Sequence, residues 1–232
     1  MPTEFPFTVL YEDNHLLVVD KPALLPTMGV AAGKLSLLDA CKQYVREKYR
    51  KPGNVYLGVV SRLDAPVTGV LLIARTSKAA ARLTEAFRAR EVEKSYWAFV
   101  AAEVRFRGYA EDWTTLDDWL YKDERHRRMH VGSLHSPAAQ HAQLRYRRLE
   151  SYPEGDLLEV ELLTGRKHQI RLQLAHHGLP IVGDRKYGSR IEFAPGIALH
   201  SRRLSLMHPV RKERMEFVAP LPKSWARFVT RL

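Results

Sequence analysis

The chain has 232 residues, with 37 Lys and Arg against 26 Asp and Glu, which gives a formal net charge of +11 at pH 7. Hydrophobic residues make up 45% and charged residues 27% of it, a composition that is typical of a folded domain and excludes intrinsic disorder. The single cysteine, Cys41, excludes an internal disulfide and a cysteine-based metal site. Apolar runs such as Val70 to Ala74 are far shorter than a membrane span. We therefore expect a cytoplasmic protein that makes no membrane contact.

The excess of positive charge favours a polyanionic partner, because Lys and Arg displace counterions from phosphates. Two basic segments have no evident apolar role and predict phosphate contacts: Arg125, Arg127, Arg128, Arg185, Lys186 and Arg190. A basic surface without a ligand would have the same composition, so charge alone leaves both interpretations open.

The first hundred residues predict the order β-β-α-β-β-α-β. Short β-branched or apolar runs bounded by turn residues predict strands, and Ser36-x-x-Asp39 and Thr76-Ser77 are typical helix starts. The expected strands cover 8–11, 16–20, 56–60, 70–74 and 95–101, and the expected helices cover 37–48 and 78–88.

The remaining residues continue with strands and isolated helices. We expect strands over 141–149, 157–163, 197–206 and 215–219, with helices over 167–177 and from Ser224 onward. Hairpins mixed with single helices favour an α+β fold, with a mixed, largely antiparallel sheet and helices packed around it, over a nucleotide-binding βαβ fold. The sequence has no repeat and no Gly/Ser linker. We therefore expect one domain over 1–232, made of two closely packed halves, 1–100 and 101–232.

The segment Ser61-Arg62-Leu63-Asp64-Ala65-Pro66-Val67-Thr68-Gly69 lies between two apolar strands. Pro66 and Gly69 exclude a continuous strand, so the segment forms a loop. A loop that a rigid scaffold positions is where catalytic groups are often found, which makes Asp64 and Arg62 candidates. A surface turn with Asp64 as a capping acceptor is the alternative.

Basic and amide side chains crowd the start of the helix predicted after residue 164, within Thr164-Gly165-Arg166-Lys167-His168-Gln169-Ile170-Arg171. The helix dipole disfavours cations at this end, so an internal carboxylate or a bound phosphate is expected to offset the cost. A solvated basic helix end is the alternative. Tyr96, at the start of a strand, has in isolation the pattern of an ordinary core tyrosine.

Together these segments resemble the RluA-type pseudouridine synthases. The resemblance covers nearly the whole chain and rests on VLYEDNHLLVVDKPALLP, SRLDAPVTGVLLIARTSKAA, EKSYWAFV, LLTGRKHQIRLQLAHHGLPIVGDRKYG and ALHSRRLSLMHPV, in that order. It implies the pseudouridine synthase fold with a central catalytic cleft. It also implies an isomerase that flips uridines out of structured RNA, rRNA or tRNA, and converts them to pseudouridine without cofactor or metal.

The resemblance assigns roles to individual residues. Asp64 corresponds to the catalytic aspartate, Tyr96 to the active-site tyrosine beside the uracil, and Arg171 to the basic partner of the aspartate. Arg62 corresponds to the arginine that fills the stack vacated by the flipped nucleotide. In the motif that contains Arg171, we expect three further residues to bind the substrate: Arg166, His168 and Gln169.

The sequence departs from the family pattern in the catalytic loop. The family usually has His where Ser61 stands and Thr-Ser where Val67-Thr68 stand. Neither change removes the acid or its arginine. The chain begins almost directly at the catalytic domain, so we expect it to lack the accessory N-terminal RNA-binding domain of many relatives and to act as a monomer.

The sequence leaves two alternative functions. His126, His130, His135 and His141 are the candidates for a metal hydrolase, but the neighbouring arginines would repel a cation, which favours an RNA-facing basic loop. The pair His176-His177 fits the carbonyl end of a helix. A catalytically silent RNA-binding protein that retains the fold is the second alternative; an acid placed to face a polyanion argues against it.

Overall fold

The computed structural model describes residues 4–101, 112–126 and 128–230. The chain forms two compact units from interleaved segments. The first unit comprises Met1–Lys94 and Ser201–Leu221, and the second comprises Ser95–His200 and Pro222–Leu232. The basic residue Arg127 lies outside the described residues.

The order of elements gives the α+β fold expected from the sequence. The strands are β1 (Thr8–Glu12), β2 (Leu16–Lys21), β3 (Gly58–Val59), β4 (Thr68–Ala74), β5 (Glu93–Ala101), β6 (Thr114–Asp123), β7 (Arg128–Gly132), β8 (Gln140–Tyr152), β9 (Gly155–Leu162), β10 (Leu199–Met207) and β11 (Arg214–Val218). The helices are α1 (Leu37–Lys48), α2 (Ser77–Arg88) and α3 (Gln169–His176), with 3₁₀ turns at Arg185–Tyr187 and Lys223–Arg227. None of the helices in the described part of the chain combines the length and the apolar character needed to cross a membrane.

The first unit is a sheet with the strand order β1-β2-β4-β10-β11, and β3 also pairs with β4. The central strand β4 is buried at all seven positions, as expected for a continuous apolar run. Helix α2 packs Ala79 and Leu83 against a core that includes Leu16, Val70 and Leu72. This packing gives the loop between β3 and β4, which contains Asp64, a rigid support.

The second unit is an antiparallel sheet with the order β5-β9-β8-β6-β7. Leu172 of α3 packs against a cluster that includes Leu120 of β6, Met129 of β7 and the ring of Tyr187. The helix and the 3₁₀ turn that carries Tyr187 therefore share one apolar layer.

Local signals located the first two helices correctly. The Ser36 hydroxyl accepts a hydrogen bond from the Asp39 amide at 3.2 Å, and the Thr76 hydroxyl accepts one from the Ala79 amide at 3.1 Å. These are the capping interactions expected from the sequence.

Three expectations about elements were wrong. The basic segment expected as a loop is a turn followed by strand β7, so Arg128 and His130 lie on a strand. The strand expected over 56–60 is reduced to Gly58–Val59, and the final helix is a 3₁₀ turn. Strand β6 was missed because Asp117, Asp118 and Trp119 lie between its two buried residues, Leu116 and Leu120, so apolar and polar residues do not alternate strictly.

Candidate active site

The loop between β3 and β4 holds Asp64 in a defined position in the first unit. Leu63 is buried, and its amide and carbonyl both bond to the Thr27 hydroxyl, at 3.2 Å and 2.8 Å. The Asp64 carbonyl accepts a hydrogen bond from the Val67 amide at 3.1 Å, which closes a turn. With Leu63 as the anchor, Asp64 is half-buried and Arg62 is exposed. This gives the rigid support that the sequence predicted for these two side chains.

A buried lysine forms a hydrogen bond with the backbone of the same loop. Lys21, the last residue of β2, has no exposed surface. Its Nζ donates hydrogen bonds to the carbonyls of Pro22 and Leu25, both at 2.8 Å, and to that of Ala65, the residue after Asp64, at 3.1 Å. The three acceptors match the three N–H groups of an ammonium, so these hydrogen bonds favour the charged form and oppose the effect of burial. The lysine thus fixes the backbone beside Asp64.

Two carboxylates balance the buried ammonium electrostatically. Burial lowers the pKa of Lys21 from 10.5 to about 7, and the charges of Asp64 and Asp20 oppose that shift. Burial also raises the pKa of Asp20 from 3.8 to about 6, against the hydrogen bond from the Gly69 amide and the charge of Lys21. A positive charge therefore acts on Asp64 from within its own unit.

Gly69, the second residue of β4, cannot be replaced without strain. Its φ is +106°, and a Cβ at this position would lie 2.3 Å from the carbonyl oxygen of Ser201. This close approach explains why the sequence has glycine where the loop joins β4.

In the second unit, Tyr96 lies on β5 directly opposite Val160 of β9, and it is 5% exposed. Ser95 is also buried, and its hydroxyl donates to Glu159 at 2.7 Å. The strand thus holds Tyr96 within the sheet, as its position in the sequence suggested.

The loop that leads into α3 is organised by Gln169. Its Oε1 accepts hydrogen bonds from the Arg166 amide at 2.8 Å and from the Thr164 hydroxyl at 2.9 Å, and its Nε2 donates to the Gln143 carbonyl at 3.0 Å. The side chain is buried. Gln169 therefore shapes the loop, and Arg166 is exposed with its Nε bonded to the His141 carbonyl. A substrate-binding role for the two residues stays a prediction.

Arg171, on the first turn of α3, forms a buried bidentate ion pair with Asp184. Its Nε lies 2.7 Å from one carboxylate oxygen and a terminal nitrogen lies 2.9 Å from the other. Both side chains are nearly inaccessible to solvent. The sequence predicted that an internal carboxylate or a bound phosphate would offset the cost of cations at the start of this helix, and Asp184 is such a carboxylate.

His168 precedes α3 in a left-handed conformation with φ of +55°. Its Nδ1 lies 2.7 Å from the hydroxyl of Tyr187. The guanidinium of Arg171 also lies over the Tyr187 ring, with its Cζ 5.1 Å from the centroid. Tyr187 thus brings together two of the predicted site residues.

Two of the histidines considered as metal ligands contact the same carboxylate, since His126 and His130 lie 2.6 Å and 3.9 Å from Asp123. His141 pairs with Asp117 at 2.6 Å. In the described part of the chain, a different cluster has ligand atoms within 4.8 Å of one another: Asp118, His176 and His177. Its carboxylate already accepts hydrogen bonds from Gln173 at 2.7 Å and contacts His177 at 3.1 Å.

Comparisons with known proteins agree with the resemblance. A family model described as RNA pseudouridylate synthase matches residues 15–176. The Ribosomal large subunit pseudouridine synthase D of Yersinia pestis is 32% identical over 247 residues, covering 100% of this chain and 72% of that protein. The chain belongs to the RluA-type pseudouridine synthase family. As a pseudouridine synthase it is an isomerase.

Further relatives and solved structures support this assignment. The protein of the same name from Pseudomonas aeruginosa is 34% identical and covers 94% of this chain and 69% of its own length. Human RNA Pseudouridylate Synthase Domain Containing 4 superposes with a TM-score of 0.75 at 26% identity, covering 96% of this chain and 92% of that one. Human RNA Pseudouridylate Synthase Domain Containing 1, at 24% identity and a TM-score of 0.73 over 96% and 86% of the two chains, shares the fold. The resemblance found in the sequence predicted this fold for the synthase.

Sequence reasoning missed three residues that hold the site residues in place: Lys21, Asp184 and Tyr187. Lys21 directly follows the strand expected over 16–20, and a lysine at such a position can bury its aliphatic stem. Asp184 and Tyr187 lie in the GDRKYG segment that carries part of the resemblance. A carboxylate and an aromatic ring close in sequence to each other are the usual partners of an arginine.

Proposed function

We propose that this synthase isomerises specific uridines of structured RNA to pseudouridine, with Asp64 as the carboxylate that acts at the ribose. The observation that carries the proposal is the half-buried Asp64 on a loop fixed by Thr27 and Lys21, in a chain of this family. The names of the relatives favour ribosomal RNA of the large subunit as the substrate, and tRNA is the other candidate.

The reaction needs a carboxylate and no oxidant or reductant. The bond between ribose C1′ and uracil N1 breaks, the base turns, and C1′ bonds to C5. The proton on C5 leaves to solvent and N1 takes up a proton, so product and substrate are isomers. A carboxylate beside C1′ acts either as a nucleophile or by stabilising positive charge on the sugar, as in glycoside chemistry. A route through a glycal is the third possibility that this proposal includes.

The other site residues take the roles of the family pattern in this proposal. Tyr96 contacts the uracil, Arg171 supplies positive charge for the aspartate, and Arg62 fills the stack when the nucleotide flips. The exposure of Arg62 suits a residue that enters RNA. Asp184 supports the role of Arg171 because it fixes the guanidinium in one orientation.

Tyr96→Phe distinguishes two roles for the tyrosine. Stacking on uracil needs the ring, and base–aromatic stacking contributes roughly 1–3 kcal/mol. Full activity of the variant would indicate stacking. A variant that binds RNA normally but does not turn over would indicate proton transfer by the hydroxyl.

The principal test is Asp64→Asn, with Asp112→Asn as a control at an exposed position. Turnover is measured as release of tritium from C5 of uridine in bulk RNA. We expect Asp64→Asn to abolish release while RNA affinity stays similar or improves slightly, because a negative charge is removed and the volume is kept. Near-normal release by this variant would refute the proposal. A wild-type protein that binds RNA but releases no tritium would instead be a silent binder.

The substrate and setting of the reaction are part of the same proposal. Mapping pseudouridine in cellular RNA with and without the gene identifies the uridine. We propose that the protein acts in the cytoplasm as a monomer. The buried thiol of Cys41, whose pKa burial raises to about 12, is consistent with a reduced and unreactive cysteine.

A further inference from the structure

Cationic side chains from three segments of the second unit gather around Tyr187. The ring is 4% exposed and packs with Leu172 in the apolar cluster under α3. The guanidinium carbon of Arg128, on β7, lies 5.3 Å from the ring centroid, and that of Arg171 lies 5.1 Å from it. A fixed ring thus holds two guanidinium groups by cation–π contact.

Two lysines belong to the same group. The pKa of Lys186, the neighbour of Tyr187, is lowered by burial and then by repulsion from Arg171, Lys167 and Arg128. The charge of Asp184 acts in the opposite direction. Asp184, however, is already the bidentate partner of Arg171. The charges of Arg171, Lys167 and Arg128 thus repel that of Lys186, and this repulsion is offset when an anion binds among them.

The segments that carry these cations are held in place. The hydroxyl of Tyr187 is hydrogen-bonded to His168, whose left-handed backbone is unfavourable for a residue with a side chain and is offset by such contacts. Gln169 fixes the backbone of the same loop through Arg166 and Thr164. Holding the segments in place before binding reduces the entropy lost when a ligand is bound.

We propose that Arg128, Lys167 and Lys186 form a binding site for a backbone phosphate of the substrate RNA. All three side chains are exposed, so a ligand in solvent can reach them. Arg171, in contrast, is buried and forms an ion pair with Asp184. The sequence predicted phosphate contacts for six basic residues. The proposed site contains two of them, Arg128 and Lys186, together with Lys167. Arg185, in the same 3₁₀ turn, pairs with the exposed carboxylate of Glu192 and is not part of the site. The inference rests on the proposed function, since RNA is the anion it invokes.

The test compares the salt dependence of RNA binding by Lys186→Gln and Arg128→Gln with that of Arg185→Gln. Dissociation constants for the full-length protein and a substrate RNA are measured between about 50 and 200 mM salt, the range over which phosphate contacts dominate the change in affinity. We expect each of the first two variants to weaken binding several-fold and to reduce the slope of log K against log salt by about 0.7 to 0.9. Arg185→Gln keeps the wild-type slope, and Lys186→Arg restores it.

Unchanged slopes in both Lys186→Gln and Arg128→Gln would overturn the inference. Equal losses in all three glutamine variants would also overturn it, since they would indicate diffuse surface charge. Thermal unfolding of each variant identifies a slope change that comes from misfolding, and the Lys186→Arg variant keeps the inference testable in that case. Failure of the proposed function has a separate signature: the wild-type protein would then release no tritium from labelled RNA.

Discussion

Replacing Lys21 by Met tests whether the buried ammonium holds the catalytic loop. The change keeps the length of the side chain and leaves three carbonyls, those of Pro22, Leu25 and Ala65, without their donor. An abandoned buried acceptor costs about 1 kcal/mol or more, so the free energy of unfolding at pH 7 should fall by about 3 kcal/mol. Loss of the loop's anchor should also lower turnover. Lys78→Met, at an exposed position on α2, is the matched control.

The pH dependence of stability gives a second and independent signal. Folding lowers the pKa of Lys21 from 10.5 to about 7. Between these values the unfolded chain binds the proton and the folded chain does not, so the free energy of unfolding rises with pH, by at most about 1.4 kcal/mol per unit. Asp20 acts in another window: its pKa is raised from 3.8 to about 6, so stability falls as pH rises through that range. The Lys21→Met variant should lose the first dependence. Because the charge of Lys21 lowers the pKa of Asp20, its removal should also extend to higher pH the range over which titration of Asp20 lowers the free energy of unfolding.

Urea unfolding from pH 5 to pH 10 measures both effects on the wild type, Lys21→Met and the control. If Lys21→Met lowers the free energy of unfolding at pH 7 by less than about 1 kcal/mol, the three hydrogen bonds do not anchor the loop. Parallel pH profiles for wild type and Lys21→Met would contradict the depressed pKa of the buried lysine. The control should follow the wild type in both measurements.

Three further changes probe how the loops are held. Gly69→Ala should destabilise the protein by about 3 kcal/mol, because its Cβ would overlap Ser201, whereas Gly165→Ala, with no atom within 4 Å, should be close to neutral in thermal unfolding. Gln169→Ala should cost about 2 kcal/mol in urea unfolding; a loss of turnover with unchanged stability would instead make Gln169 a substrate ligand. Asp184→Asn should cost about 3 kcal/mol, because it leaves a buried guanidinium without its charged partner, and an unchanged melting temperature would contradict that.

Features that depend on neighbouring residues could be predicted from the sequence. The starts of α1 and α2 follow from Ser36 and Thr76, because a cap needs only the next three residues. The position of the Asp64 loop follows from Pro66 for the same reason, whereas Gly69, which was expected to interrupt the strand, is the second residue of β4. The family and its fold were recognised from several motifs in the right order, and the comparisons confirmed both.

Features that depend on distant residues could not be predicted from local patterns. Lys21 is buried only because the Ala65 carbonyl, 44 residues later, accepts its third hydrogen bond. Lysine is among the residue types that are almost never fully buried, so its type alone argues for exposure. Strand β7 was missed because its pairing with β6, and not its basic composition, determines its conformation.

The two units position their charged site residues in the same physical way. Each buries an opposite charge close to the functional one: Lys21 acts on Asp64, and Asp184 holds Arg171. Such buried charges contribute little net stability, because desolvation consumes most of the Coulombic gain, yet removing one partner is costly. They do restrict geometry, since the ammonium has three fixed acceptors and the guanidinium a bidentate one. The reaction proposed above would depend on such restriction, because small displacements of reacting groups cost large factors in rate. The same reasoning applies to Tyr187, a buried ring that lies against the guanidinium groups of the exposed Arg128 and the buried Arg171, so that a rigid core restricts where these charges lie.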